Sequence, residues 1–281
     1  MSSRILSSSV VAAIESHYPT LTKSEQKVAG VVLQRTEEVI YFSVTDLADT
    51  AEVGDTTVLR FCRTIGFKSY QEFKLALAKE ASRPSEDPAR SRQSGFVEQI
   101  YANSLQVIEK SRSLLDTETL HEVIHRFSEG KSIHFFGAGS SGVSALEAKA
   151  RFLRIGRRVE SGGDTHFQAM NAATLTEHDI AIGISVSGST KDTIDCCQTA
   201  KSNGATVIAI TNYARSPLAK LADYVLLTGG MEAPLEGGSL GAKISQLLLI
   251  DMICTGVALK DQEHSVTMKE KTARSVLNKI Y

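Results

Sequence analysis

Residues Ser185 to Thr190 read Ser-Val-Ser-Gly-Ser-Thr and follow the apolar run Ala181-Ile182-Gly183-Ile184. Four hydroxyl side chains around one glycine make an unusual connection. The hydroxyls can donate hydrogen bonds, and Gly188 lets the backbone come close to a ligand. Lys191 to Ser202 have helical character, so a helix would point its free N–H groups and positive dipole end at the loop. That combination suits a phosphate. A second loop of this kind, Gly137-Ala138-Gly139-Ser140-Ser141-Gly142, follows Ile133-His134-Phe135-Phe136 and precedes a helix expected from about Val143 to Ile155.

Other residue patterns carry competing chemistry. Gly137, Gly139 and Gly142 satisfy Gly-x-Gly-x-x-Gly, and Glu160 stands about twenty residues on, where a dinucleotide's ribose would need an acid. A dinucleotide site leaves the second hydroxyl-rich loop without a task, whereas a monophosphate site uses both. His121-Glu122-Val123-Ile124-His125 has the letters of a metalloprotease helix, yet no third ligand is identifiable, so no metal is expected. Sugar isomerisation needs a base near C1 or C2 of its substrate. His166 and Glu236 are the unplaced candidates, each with a plain surface role as the alternative, so no catalytic residue is assigned and no cofactor is expected.

The elements that must hold these loops alternate. Strands are expected at Ile133–Phe136, Arg158–Glu160, Asp179–Ile184, Thr206–Ile210 and Tyr224–Leu227, with helices between them, including Thr165 to Ala173. This is the pattern of a parallel sheet with right-handed crossovers. Ligands of such sheets sit at the carboxyl ends of the strands, where both Ser/Gly loops fall. A long helix from Ser239 to about Leu259 and a polar one near the C-terminus complete this α/β part.

The first eighty residues are read as helical. Thr22-Lys23-Ser24-Glu25 is a capping box. Helices from Val44 to Ala51 and from about Asp55 to Ile65, joined by Glu52-Val53-Gly54, have helix-turn-helix spacing. Ala48 takes the small position where the helices touch, and Leu47, Val53, Val58 and Phe61 form the apolar cluster. Asp55, Thr56, Thr57, Arg60 and Arg63 then face outward, as base- and phosphate-contacting residues do in the major groove, with Lys68 on the flank. Arg60, Arg63, Lys68, Lys74 and Lys79 against Asp55 and Glu72 make a narrow basic face in a chain of net charge −1. A small helical bundle used for protein contacts is the competing reading. Glu52 stands where such turns commonly carry glycine, and Gly54 where a serine cap is common.

Residues 82–95, with two of the five prolines and mixed charges, are the expected linker. Phe96 to Leu115 follows as an amphipathic helix through Val97, Ile100, Tyr101, Leu105 and Ile108, and Asp116 caps the next, which ends at Gly130. Three parts result: an all-α helix-turn-helix domain at 1–81, the linker at 82–95 and an α/β domain with a helix-flanked parallel sheet at 96–281. The chain has 281 residues, 42% of them hydrophobic, enough for two buried cores. Its four cysteines show no zinc-ligand spacing and read as reduced structural thiols. No targeting segment is expected, and the apolar run Leu247–Leu259 is broken by Asp251, so the expected location is the cytoplasm.

Helix-turn-helix, linker, GAGSSG and ISVSGST in this order resemble the RpiR family of bacterial transcriptional regulators, whose C-terminal half is similar to the sugar isomerase (SIS) domain. The resemblance implies a homo-oligomer, dimer or tetramer, that binds pseudo-palindromic operator DNA and senses a phosphosugar. By motif position it implies a phosphate held by Ser141, Ser185, Ser187 and Thr190, with Ser140 beside them and Ser189 contributing mainly its backbone N–H. Gly163-Asp164-Thr165-His166-Phe167-Gln168-Ala169 is similar to members that respond to amino-sugar phosphates.

Overall fold

The structure, a computed structural model, describes residues 9–81, 95–230, 232, 234–235 and 240–279. The chain folds as two compact units, Met1–Gln99 with Glu232–Gly237 and Ile100–Met231 with Gly238–Tyr281. The expected linker lies outside the described residues apart from Gly95.

The first unit is built from α1 (Val10–His17), α2 (Lys23–Gln34), α3 (Thr36–Val39), α4 (Val44–Thr50), α5 (Asp55–Thr64) and α6 (Tyr70–Ala81). Ile14, Val28, Val32, Leu47, Ala48, Val58, Phe61, Cys62, Phe73 and Leu77 are buried in its core. The capping box of α2 is present, and its carboxylate does more than cap. Glu25 is 3% exposed and also accepts from Arg60 Nε at 3.2 Å and Thr64 Oγ1 at 3.1 Å. Burial alone would push this carboxyl up; the hydrogen bonds from Thr22, Thr64 and Arg60 outweigh it and hold its pKa below the ordinary glutamate value.

Between α4 and α5 the chain makes a Schellman turn. Val53 N–H donates to Ala48 O at 2.9 Å and Glu52 N–H to Asp49 O at 3.0 Å. The residue between cap and exit must be left-handed, and Glu52 accepts this, at φ +52°. The same turn closes α5, where Phe67 N–H reaches Cys62 O and Gly66 takes the left-handed position at φ +99°. The departure from glycine at position 52 therefore leaves the backbone unaltered and puts strain on a glutamate.

In the second unit, α7 (Phe96–Leu114), which begins in the first, and α8 (Thr117–Glu129) lead into five strands: β1 (Ile133–Phe136), β2 (Val159–Ser161), β3 (Ile180–Ile184), β4 (Thr206–Thr211) and β5 (Tyr224–Leu227). All pairings are parallel, in the order β2-β1-β3-β4-β5. The crossovers carry α9 (Ser140–Arg154), α10 (Thr165–Ala173), α11 (Lys191–Ser202) and α12 (Pro217–Leu221); α13 (Leu240–Lys260) and α14 (Gln262–Arg274) follow.

Alternation along the strands sorts the two faces. Ile133, Phe135, Ile182, Ile184, Ile208 and Ile210 pack with α8, α9 and α13 residues such as Phe127, Phe152 and Ile253. Phe136, Ala181, Val207 and Ala209 pack with Cys196, Cys197 and Ala200 of α11. Small residues let α11 lie close to the sheet: a Cβ at Gly183 would stand 2.7 Å from Cys197 Sγ. All four cysteines are buried, and burial pushes the Cys62 thiol up to about 12 and Cys196 to about 11.

Helix α13 has the length and apolarity of a membrane span, at a mean hydropathy of 1.6. Its Leu249, Ile250, Ile253 and Val257 belong to the core, and Asp251 in its middle pairs with Arg151 of α9. The face of α7 that the periodicity marks as apolar is instead exposed in the single chain, at Phe96, Val97, Ile100, Tyr101, Leu105 and Ile108.

Candidate functional site

Strand order reverses between β1 and β3, since β1 continues to β2 on one side and β3 to β4 on the other. At such a switch point the crossover helices leave to opposite faces and a crevice opens beyond the strand ends. Phe136 pairs with Gly183, so the loops 137–142 and 185–190 emerge side by side at that crevice. Each feeds a helix directly, α9 at Ser140 and α11 at Lys191. Neither receives a side-chain cap, since Gly139 has none to offer and Thr190 makes no capping bond. Two helix N-termini thus present N–H groups at one place. Ser140 and Ser141 belong to the first turn of α9, which starts three residues before the expected Val143.

The second loop is tightly held. Ser185 is 2% exposed, and its Oγ lies 2.9 Å from Thr190 Oγ1, so the pair closes the loop and keeps one hydroxyl proton to donate. Gly188, at φ +59°, donates to Ser185 O at 3.1 Å and accepts from Leu218 N at 3.0 Å. Thr211 Oγ1, at the end of β4, donates to Val186 O. Ser187 Oγ accepts from Ser189 N at 3.2 Å, while Ser189 is exposed and turns its own hydroxyl onto Ser187 O. Both Ser189 donors are therefore engaged inside the loop, and Ser187 is left with a free proton.

Two glutamines brace the first loop. Gln168, buried on α10, accepts from Gly137 N at 3.0 Å and donates to Gly137 O at 2.9 Å and Gly162 O at 2.8 Å. Gln246, buried on α13, donates to Ser141 Oγ at 3.2 Å and accepts from Ser144 Oγ at 2.7 Å. Ser140 makes no side-chain hydrogen bond among the described residues and is half-buried. Sequence reasoning singled out neither glutamine as a brace, and it missed two residues in the first turn of α11. Among the described residues, the exposed Lys191 has no ion pair and the buried Thr193 Oγ1 has no partner.

His166 lies in the first turn of α10, exposed, its N–H donated to the capping Asp164 at 2.8 Å. Glu236 lies outside the described residues. His125 of the His-Glu-Val-Ile-His stretch faces Glu129 at 3.4 Å, and no group of three or more His, Cys, Asp and Glu able to hold a metal occurs among the described residues. Glu160 is engaged with Lys149 at 2.9 Å. A separate hollow of about 690 Å³ opens at the opposite ends of the strands, between Arg158, Glu160, Met268 and Lys271, away from both loops.

In the first unit, α5 is the helix whose outer face carries the expected DNA contacts. Thr56, Arg60, Arg63 and Lys68 are exposed, Asp55 and Thr57 half-buried. Asp55 accepts from Thr45 Oγ1 at 3.2 Å, tying the start of α5 to α4. Arg60 is anchored at Nε by Glu25, leaving its two terminal nitrogens without partners among the described residues. Arg63 and the Lys68 ammonium pair with nothing among the described residues.

Residues 8–84 match the helix-turn-helix domain of the rpiR family, and residues 126–256 match the SIS domain. An HTH-type transcriptional regulator of Haemophilus influenzae is 38% identical over 96% of this chain and 97% of its own length. HexR of Pseudomonas aeruginosa, also an HTH-type transcriptional regulator, is 31% identical over 88% of each chain. Among solved structures, Vibrio vulnificus NanR complexed with ManNAc-6P superposes with a TM-score of 0.87 at 26% identity, covering 96% of this chain and 99% of that one. With a helix-turn-helix unit, a SIS unit and relatives spanning most of its length, the chain belongs to the RpiR family of HTH-type transcriptional regulators.

Proposed function

We propose that the crevice at the β1/β3 switch point binds a phosphosugar, and that this ligand controls the affinity of the helix-turn-helix unit for its operator. The supporting observation is the convergence of two uncapped helix N-termini with the hydroxyls of Ser140, Ser141, Ser185, Ser187 and Thr190. N–H and O–H groups are donors, and a phosphate dianion only accepts. Lys191 adds a positive charge at the rim. Ser189 takes part through the shape of its loop, and His166 and Glu236 are the residues to read the sugar. The NanR complex with ManNAc-6P and the Asp164-capped helix carrying His166 favour an amino-sugar phosphate.

The regulator works in the cytoplasm as a homo-oligomer on a pseudo-palindromic site, with α5 as the reading helix and 82–95 as linker. The exposed apolar residues of α7 favour a second copy as partner. Coupling between effector and operator is expected at about 1–3 kcal/mol.

A thermal-shift screen of hexose and N-acetylhexosamine 6-phosphates tests the effector site. A specific ligand raises the melting temperature by mass action, and Ser185→Ala/Ser187→Ala abolishes the rise. A shift that survives the double substitution places the ligand elsewhere, and formation of an isomer during incubation makes the chain a sugar-phosphate isomerase instead.

A further inference from the structure

The two glutamines that brace the first loop differ in what they touch. Gln168 bonds only to backbone, so it sets the position of the loop. Gln246 bonds to two serine hydroxyls, one of which, Ser141, is a residue of the proposed phosphate site. Gln246 and Ser144 are each 1% exposed and Ser141 is 6% exposed, so all three must find their partners within the protein.

A hydroxyl has one proton and an amide has two unlike ends, so the direction of each bond follows from the next. Ser144 commits its proton to Gln246 Oε1 at 2.7 Å. With the amide oxygen taken by Ser144, the end that faces Ser141 is Nε2, which can only donate. Ser141 Oγ therefore receives, and its own proton goes to no group among the described residues. Were the amide reversed, Oε1 would take the Ser141 proton and turn that hydroxyl inward.

We propose that Gln246 is a positioning residue that sets the Ser141 hydroxyl as a hydrogen-bond donor toward the effector's phosphate. This rests on the phosphosugar reading of the crevice. A dianion needs every nearby hydroxyl to arrive proton first, and Gln246 arranges this from a position 105 residues away in sequence. Because Gln246 lies on α13, the Ser141 donor and that helix are held by one buried network.

The test uses Gln246→Glu in the full chain, with N-acetylmannosamine 6-phosphate and glucose 6-phosphate as probes and affinity measured by calorimetry from pH 5 to 8. An ionised glutamate accepts from both serines and draws the Ser141 proton inward; a protonated one has the donor and acceptor of the native amide. The wild-type-to-variant affinity ratio is expected to be about tenfold or more at pH 8, the scale of one hydrogen bond to a charged group, and to close as the pH falls. Taking the ratio removes the phosphate's own titration.

Gln246→Met should lose affinity at every pH without recovery. Ser144→Ala, a small change that touches no ligand, should weaken binding because it frees the amide to reverse; it serves if Gln246→Glu does not fold. A pH-independent ratio for Gln246→Glu, or unchanged affinity in Ser144→Ala, overturns the assignment while leaving the effector site standing. If wild type binds neither probe, or binds them undiminished in Ser185→Ala/Ser187→Ala, the phosphosugar reading fails and takes the role of Gln246 with it.

Discussion

Gly188→Ala probes the candidate phosphate loop without removing any of its donors. An added Cβ would fall well inside van der Waals contact with Oγ and Cβ of Ser216 and 2.8 Å from Thr211 Oγ1. Ser216 cannot step aside cheaply, because it is buried and caps α12 by accepting from Ala219 N at 3.2 Å. Thr211 is likewise fixed by its bond to Val186 O. Overpacking of this kind costs roughly 1–3 kcal/mol. A left-handed alanine adds about 1–2 kcal/mol, and the stiffer unfolded chain returns about 0.4–1 kcal/mol. The expected net loss is about 1–5 kcal/mol, readable as a lower urea midpoint by circular dichroism, together with loss of the phosphosugar thermal shift. Combining it with Ser216→Gly should recover part of the loss, because the main clash disappears although the cap goes with it. A Gly188→Ala protein within about 0.5 kcal/mol of wild type, or strict additivity in the double variant, would show that the close approach of Gly188 to Ser216 does not constrain the loop.

Three further outcomes are expected. Glu52→Gly relieves the left-handed glutamate while losing only the exposed pair with Lys27 at 3.2 Å, so the first unit should gain about 0.5–1 kcal/mol in urea unfolding. Because Glu25 has its pKa depressed in the folded state, its contribution is fully present above the ordinary glutamate value and disappears as pH falls through the folded value. Glu25→Gln should accordingly lower stability at pH 7 and flatten the acid limb below about pH 4.5, compared by thermal melts across that range. Arg63→Ala should weaken operator binding in gel-shift titrations with no change in melting temperature, whereas Arg60→Ala should weaken binding and also lower the melting temperature, since Arg60 holds Glu25.

The parts of the fold visible in the sequence are those set by local pattern. The short β-branched and aromatic runs at β1 and β5, and the capped stretches of α2 and α10, appear where expected because strand propensity and helix capping act over a few residues. Helix α1 escaped notice because its cap, Ser9, is one of a run of serines, and α12 because five residues opening on Pro217 carry little periodicity. On α7 the spacing foretold an apolar face but had no means of saying whether this chain covers it. The hydroxyl loops were legible as donors. Gln168 and Gln246 were not legible as their braces, because contacts spanning 31 and 105 residues leave no local trace.

The burial of every cysteine turns the chain into its own clock. Cys62 sits in the core of the helical unit and Cys197 between α11 and the sheet, so a thiol-directed alkylating reagent can reach each one only when its surroundings open. Following the two sites separately by mass spectrometry times the opening of the helix-turn-helix unit and of the SIS unit in one intact molecule. An effector that grips the loop ahead of α11 should slow labelling at Cys197 first, and any slowing at Cys62 would measure how much of that grip reaches the DNA-reading helices.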